Sequence, residues 1–157
     1  MTELLYMQDF DVETCEAKIE SVTTLDDSHV DIVLDQTCFY ARGGGQDWDK
    51  GEITNDGATF AVEEVRLDES GDVHHVGTLT TGTFTPGDAV SGKVDLERRA
   101  INARLHSAGH VIDMAVDSLG LDWIATKGHH YPDLSAVEYA GTWDPERAEE
   151  LKATLEQ

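Results

Sequence analysis

Ala89-Val90-Ser91-Gly92-Lys93-Val94-Asp95-Leu96-Glu97-Arg98-Arg99-Ala100-Ile101 is the stretch at which the chain changes its periodicity. Ala89 to Val94 reads as the last of several short strands. Asp95 is a good helix N-cap, and the next glycine able to stop a long helix is Gly120. Gly109 lies inside that span, at a cost of roughly 1 kcal/mol relative to alanine. On a helical wheel, Ile101, Leu105, Ala108, Val111, Ile112, Ala115 and Leu119 share one side, which is the expected core face. His106, His110, Asp113 and Asp117 form a narrow stripe opposite.

Upstream of Asp95 the chain reads as β. His29–Asp35 alternates and then turns continuously apolar, as a half-buried strand can. Cys38-Phe39-Tyr40 is a short apolar run, Thr59 to Leu67 suggests one further strand, and Val73–Val76 another. Asn55-Asp56-Gly57, Glu69-Ser70-Gly71-Asp72 and Pro86-Gly87-Asp88 supply turns between them. Short strands at this spacing favour a small barrel or sandwich. The length suits one medium domain or two small ones, and the change of pattern at Asp95 divides the chain into residues 1–94, with the glycine-rich loop, and residues 95–157. Leu121 to Asp133 reads as a loop, Ala136–Tyr139 as a strand, and Asp144-Pro145 as the start of a second helix running to Gln157 with no stop signal.

The 157 residues carry 32 Asp+Glu against 11 Lys+Arg, a formal charge of −21. With 39% hydrophobic residues, the chain is unlike a disordered acidic tail. Its apolar runs are too short for a membrane helix, and Met1–Tyr6 has neither a basic region nor an apolar signal core, so a cytoplasmic location is expected. Self-repulsion at −21 disfavours a compact state in ordinary buffer and largely vanishes in molar salt, where the Debye length is ~3 Å. The composition therefore points to a salt-loving source. Taken at face value, the charge disfavours a nucleic-acid partner.

Three features could carry chemistry. His106-Ser107-Ala108-Gly109-His110 places two imidazoles one helical turn apart, where they can share a zinc ion or simply be solvated. On the wheel they are either wet or face a cleft closed by another element. Asp113 on the same stripe is a candidate ligand or a carboxylate that orients an imidazole. At most one of His129 and His130 would serve as a distant ligand. Gly43-Gly44-Gly45-Gln46 permits close backbone approach and exposes N–H groups to an anion, or is a flexible hairpin loop. Arg98, Arg99 and Arg104 lead into His106, and suit either phosphate or pairing with Asp95 and Glu97.

Asp35-Gln36-Thr37-Cys38-Phe39-Tyr40-Ala41-Arg42-Gly43-Gly44-Gly45-Gln46, followed by Asp49-Lys50-Gly51-Glu52-Ile53, resembles the glycine-rich segment of alanyl-tRNA editing proteins. Arg99, His106–His110 and Thr126-Lys127-Gly128 resemble their editing core, in order and over nearly the whole chain. The same module occurs inside alanyl-tRNA synthetases, and its freestanding versions are called AlaX. The resemblance implies a small N-terminal β-barrel followed by an α+β editing domain that hydrolyses tRNA(Ala) mischarged with serine or glycine. An alanine pocket rejects glycine poorly, since one methyl is worth only ~1–3 kcal/mol, and it excludes an added hydroxyl imperfectly, so a second hydrolytic site is needed.

Carried over by resemblance, His106 and His110 would bind zinc. Thr126 would hydrogen-bond the serine hydroxyl, with Gln46 beside it as a second catalytic candidate. Gly43, Gly44 and Gly45 would lie near the tRNA 3′ end or brace the editing domain. Arg99 and Arg104 would contact phosphate. The family completes its zinc site with a C-terminal Cys-x3-His, which this sequence lacks. Cys15 is followed four places later by Ile19, and Cys38 by Arg42. The expectation is a truncated or degenerate member, whose alternative role is a non-catalytic tRNA-binding or interaction module. The resemblance fixes no oligomeric state.

Overall fold

The computed structural model describes residues 1–142 and 144–156. In chain order the strands and α-helices are β1 (Glu3–Leu4), β2 (Thr14–Thr24), β3 (His29–Leu34), β4 (Gln36–Thr37), β5 (Gly51–Thr54), β6 (Thr59–Leu67), β7 (Val73–Thr81), β8 (Ala89–Val94), α1 (Leu96–Ser118), β9 (Ile124–Tyr131), β10 (Leu134–Ala140) and α2 (Ala148–Leu155). They form two compact units. One is Met1–Gly43 with Trp48–Arg99, and the other is Gly44–Asp47 with Ala100–Gln157. The second unit thus borrows four residues from the glycine-rich stretch. No helix among the described residues is long and apolar enough to cross a membrane.

In the first unit, β2-β3-β7-β6-β5-β8 close into an antiparallel barrel. Closure pairs every strand on both sides, which removes exposed sheet edges. Alternation fills the interior: Cys15, Ala17 and Ile19 from β2, Ile53 from β5, Phe60, Val62 and Val65 from β6, and Val90 and Val94 from β8 are all buried. Thr59 to Leu67 is one strand with a register shift between Val62 and Glu64, which is why its apolar residues fall out of step at that point. Two strands, β2 and β5, were not expected from the sequence.

His75 sits fully buried in this barrel. Its Nδ1 lies 3.0 Å from the Ile32 carbonyl oxygen, to which it donates, and its Nε2 lies 2.8 Å from Thr37 Oγ1. Burial pushes its pKa down to about 4 from an ordinary 6.5. A histidine with a depressed folded pKa takes up a proton on unfolding at any pH between the two values. Its contribution is therefore full above pH 6.5 and is lost as the pH falls towards 4. The stability gap between the wild type and His75→Leu is expected to shrink by about 3 kcal/mol across that window. Denaturant titrations of both proteins at several pH values measure it, and a gap that does not change with pH would refute it.

In the second unit, β9 and β10 form an antiparallel hairpin beside α1. The segment expected to be a loop from Leu121 to Asp133 is mostly β9, because its backbone pairs with β10 from Tyr131↔Leu134 to Ile124↔Ala140. Asp95 caps α1 as expected, its carboxylate accepting from the Arg98 N–H at 3.0 Å. The wheel assignment holds only in part: Ala115 is buried and Leu105, Ile112 and Leu119 are half-buried, whereas Ile101 and Val111 are 42% and 60% exposed and Ala108 is exposed. The buried positions of α1 are Asn102, Gly109, Ala115 and Val116, with His106 and Asp113 half-buried beside Gly109. The hairpin and residues 44–47 pack on the side where Gly109 permits the closest approach, so small size rather than hydropathy selects the inner face. Asp144 caps a 3-10 turn at Pro145–Arg147, its carboxylate accepting from the Glu146 N–H, and α2 follows. The expected end of this helix at Gln157 lies outside the described residues.

Candidate active site

A cavity of about 240 Å³ in the second unit is lined by His106, His110 and Asp113 of α1, Thr126 and His130 of β9, and Gly44, among others. Three separate stretches of sequence meet there. Residues 44–47 reach it by pairing with β9. The Gly45 carbonyl accepts the His130 N–H at 2.8 Å, and Gln46 forms a parallel bridge with His130. A side chain at Gly45 would not be tolerated, since its Cβ would stand 2.4 Å from the Gly128 carbonyl oxygen, and its φ of +76° is one that favours glycine.

Docking of this segment places Gln46 Oε1 2.9 Å from His106 Nδ1. A carbonyl oxygen there accepts a proton from Nδ1 and leaves Nε2 of the neutral ring as the open lone pair. Partial burial lowers the His106 pKa below its ordinary value, and the neighbouring His130 and His110 push the same way, so the ring stays neutral near pH 7. The His106 and His110 ring centres are 5.0 Å apart. On the far side, His110 Nδ1 lies 3.8 Å from the Asp113 carboxylate, which in turn accepts the Tyr139 hydroxyl. Burial and that carboxylate raise the Tyr139 pKa, which keeps the phenol protonated as the donor. Thr126 donates its hydroxyl to the Glu138 carbonyl at 3.1 Å, so its oxygen has lone pairs to offer a ligand.

The donor set fits two of the four positions of a tetrahedral zinc site. His106 has the tautomer such a site uses, with its other nitrogen held by an amide. Among the described residues, no group of three or more His, Cys, Asp or Glu side chains is arranged to hold a metal ion. Cys15 and Cys38 are buried within the barrel.

The remaining expected residues fall elsewhere. Gly43 belongs to the first unit, where its carbonyl accepts the Tyr40 hydroxyl. Arg99, a phosphate candidate by resemblance, takes up the alternative of pairing within the chain, with Asp49 in place of Asp95 or Glu97. Its side chain is only 14% exposed, and it donates to the Asp49 carboxylate and to the Val12 and Cys38 carbonyls. A guanidinium committed to three buried acceptors holds the barrel's connections together. Arg104 is exposed on α1. His130, named beside His129 as a possible distant ligand, is the one of the two that lines the cavity, whereas Tyr139 was not singled out by sequence reasoning as a site residue. The alternation of Gly128 with His130 would have decided between the two histidines, but 121–133 read as a loop; Tyr139 lies in the stretch read as a strand, where nothing local marks it as facing α1.

Residues 5–98 match the family model for class II (A) tRNA synthetases. The chain belongs to that family. It is similar to alanine–tRNA ligases: 44% identical over 115 residues to that of Kineococcus radiotolerans, covering 72% of this chain and 13% of the relative. The corresponding enzymes of Delftia acidovorans and Methanothrix thermoacetophila are 40% identical over 97 residues and 36% over 110. In each of these two cases 11% of the relative is covered. This alanyl-tRNA synthetase-related chain therefore spans roughly a tenth to an eighth of the length of those relatives. The family match ends at Arg98, so β9, β10 and most of α1 lie beyond it.

Proposed function

We propose that this chain is a cytoplasmic aminoacyl-tRNA editing module, a hydrolase that cleaves the ester of tRNA(Ala) mischarged with serine or glycine. The observation that supports it is the meeting of His106, His110 and Thr126 around one cavity, with Gln46 bonded to His106. The cavity, about 240 Å³, has room for an amino acid the size of serine. Thr126 accepts a hydrogen bond from the serine hydroxyl while donating its own to the Glu138 carbonyl. Gln46 holds His106 in one tautomer, and Asp113, itself bonded by the Tyr139 hydroxyl, lies beside His110. Water then attacks the ester carbonyl and the bond to the ribose oxygen breaks, releasing free amino acid and an intact tRNA end. His106 and His110 would hold a zinc ion, which supplies Lewis-acid polarisation and a template for the ester. Arg104 is the proposed phosphate contact on α1.

The second reading is a non-catalytic tRNA-binding module. It is favoured by the presence of only two of four ligands among the described residues. Hydrolysis of Ser-tRNA(Ala) in molar salt, with and without added zinc, separates the two readings. The editing reading expects turnover that falls at least a hundredfold in His106→Ala and in His110→Ala. Tight tRNA binding with no turnover at any zinc concentration would sink it.

A further inference from the structure

Three glycines from three segments surround one imidazole. A Cβ added at Gly109 of α1 would stand 2.2 Å from His130 Cε1, one at Gly128 of β9 would stand 2.7 Å from its Nε2, and one at Gly45 would stand 3.1 Å from its Cδ2. Glycine weakens both a helix interior and a strand interior, so Gly109 and Gly128 each carry a local penalty. The space they leave is filled by the His130 ring, a residue only 8% exposed. Its backbone N–H is fixed by Gly45, and its ring lies against that of His106, with centres 4.8 Å apart and planes 18° from parallel. His106 is therefore held at its edge by Gln46 and on its face by His130.

We infer that His130 is a positioning residue: its flat ring, admitted by the three glycines, holds the His106 imidazole in one orientation. The inference rests on reading His106 as a working group of the site. It assigns His130 a role in which ring shape matters and ring chemistry does not.

The full chain labelled with nitrogen-15 gives the test. The imidazole nitrogens of His106 report its tautomer and order, and the Trp48 and Trp123 indole N–H groups, bonded to the Glu63 and Thr142 carbonyls, report the folding of each unit. His130→Ala is expected to erase or average the His106 signature while both indole signals stay in place. His130→Phe, flat but unable to carry a proton, is expected to preserve it. Gly109→Ala gives a result of opposite sign from simple helix propensity. Alanine favours a helix over glycine, yet here it should lower the melting temperature and disturb His106, because its methyl meets the ring. In the His130→Ala background the same change should raise the melting temperature. In Ser-tRNA hydrolysis, His130→Ala should lose at least tenfold in kcat and His130→Phe no more than about threefold. An unchanged His106 signature in His130→Ala, or a His130→Phe variant as impaired as His130→Ala, would overturn the inference. A wild-type chain with the ordered His106 signature and no hydrolysis would instead leave it standing and defeat the editing reading.

Discussion

Arg99→Met is expected to lower the stability of the chain by about 3–5 kcal/mol, the range for stranding one member of a buried ion pair. Asp49 is 1% exposed, and its carboxylate accepts the Tyr40 backbone N–H at 2.7 Å as well as the Arg99 guanidinium. Removing the guanidinium leaves that carboxylate with one neutral partner and orphans the Val12 and Cys38 carbonyls. Against a typical total of about 5–15 kcal/mol, such a loss makes the variant partly unfolded at ambient temperature. A second substitution, Asp49→Leu, should recover only part of it, because the Tyr40 N–H and the two carbonyls still lack partners. Arg104→Ala, on an exposed stretch of α1, should melt within a degree or two of the wild type. Melting curves and tRNA binding on these variants distinguish the roles. Weak binding by Arg99→Met should track its unfolded fraction, whereas Arg104→Ala should weaken binding while folded. A normally folded Arg99→Met that fails to bind tRNA would restore the phosphate role for Arg99.

Gly77→Ala is expected to cost about 3 kcal/mol or more, the upper range for overpacking. Gly77 is buried in β7 opposite Val62, next to the register shift in β6. A Cβ there would stand 1.9 Å from the Ala61 carbonyl oxygen and 3.1 Å from the Glu63 backbone nitrogen. Both obstacles are backbone, so no side chain can swing aside and β6 itself must move. In a closed barrel that movement passes to the next strands in turn. Gly57→Ala is the control. Its Cβ would meet only the Asn55 side chain, at 4.0 Å, and it should change stability by less than about 0.5 kcal/mol. Equal denaturant midpoints for the two variants would show that the barrel yields at β6 without strain.

These two positions also mark what a sequence can and cannot disclose. The turn at Asn55-Asp56-Gly57, the cap at Asp95 and the alternation of β3 and β8 depend on neighbours along the chain, and local pattern reports them. The exposure of Ile101, Ala108 and Val111 on α1 depends on what reaches the helix from elsewhere. A wheel sorts Ile101 and Val111 to the inside by hydropathy, and carries no information that a histidine ring from β9 needs the gap at Gly109. The strand β2 was legible in the two-residue spacing of Cys15, Ala17 and Ile19, but cysteine and alanine are weak β signals. In the candidate site, His106, His110, Gln46 and Thr126 were named because they belong to short motifs. The choice between His129 and His130 stayed open, and Tyr139 was missed, because both follow from hairpin pairing. For Arg99 the sequence left phosphate and pairing open and offered only neighbouring carboxylates, because its actual partner, Asp49, lies fifty positions away.

The loan of Gly44–Asp47 to the second unit has a consequence for how such a protein can be inherited. The chain passes between the units after residue 43, after residue 47 and again after residue 99. Neither unit is a contiguous cassette. A recombination event anywhere between residues 48 and 99 would join one parent's Gln46 to another parent's His106 and β9. A segment beginning at residue 100 would arrive without the strand that fixes His130 or the amide that holds His106. The four-residue loan therefore binds two distant stretches of the gene to a common descent, and any graft of this site onto another scaffold has to carry both.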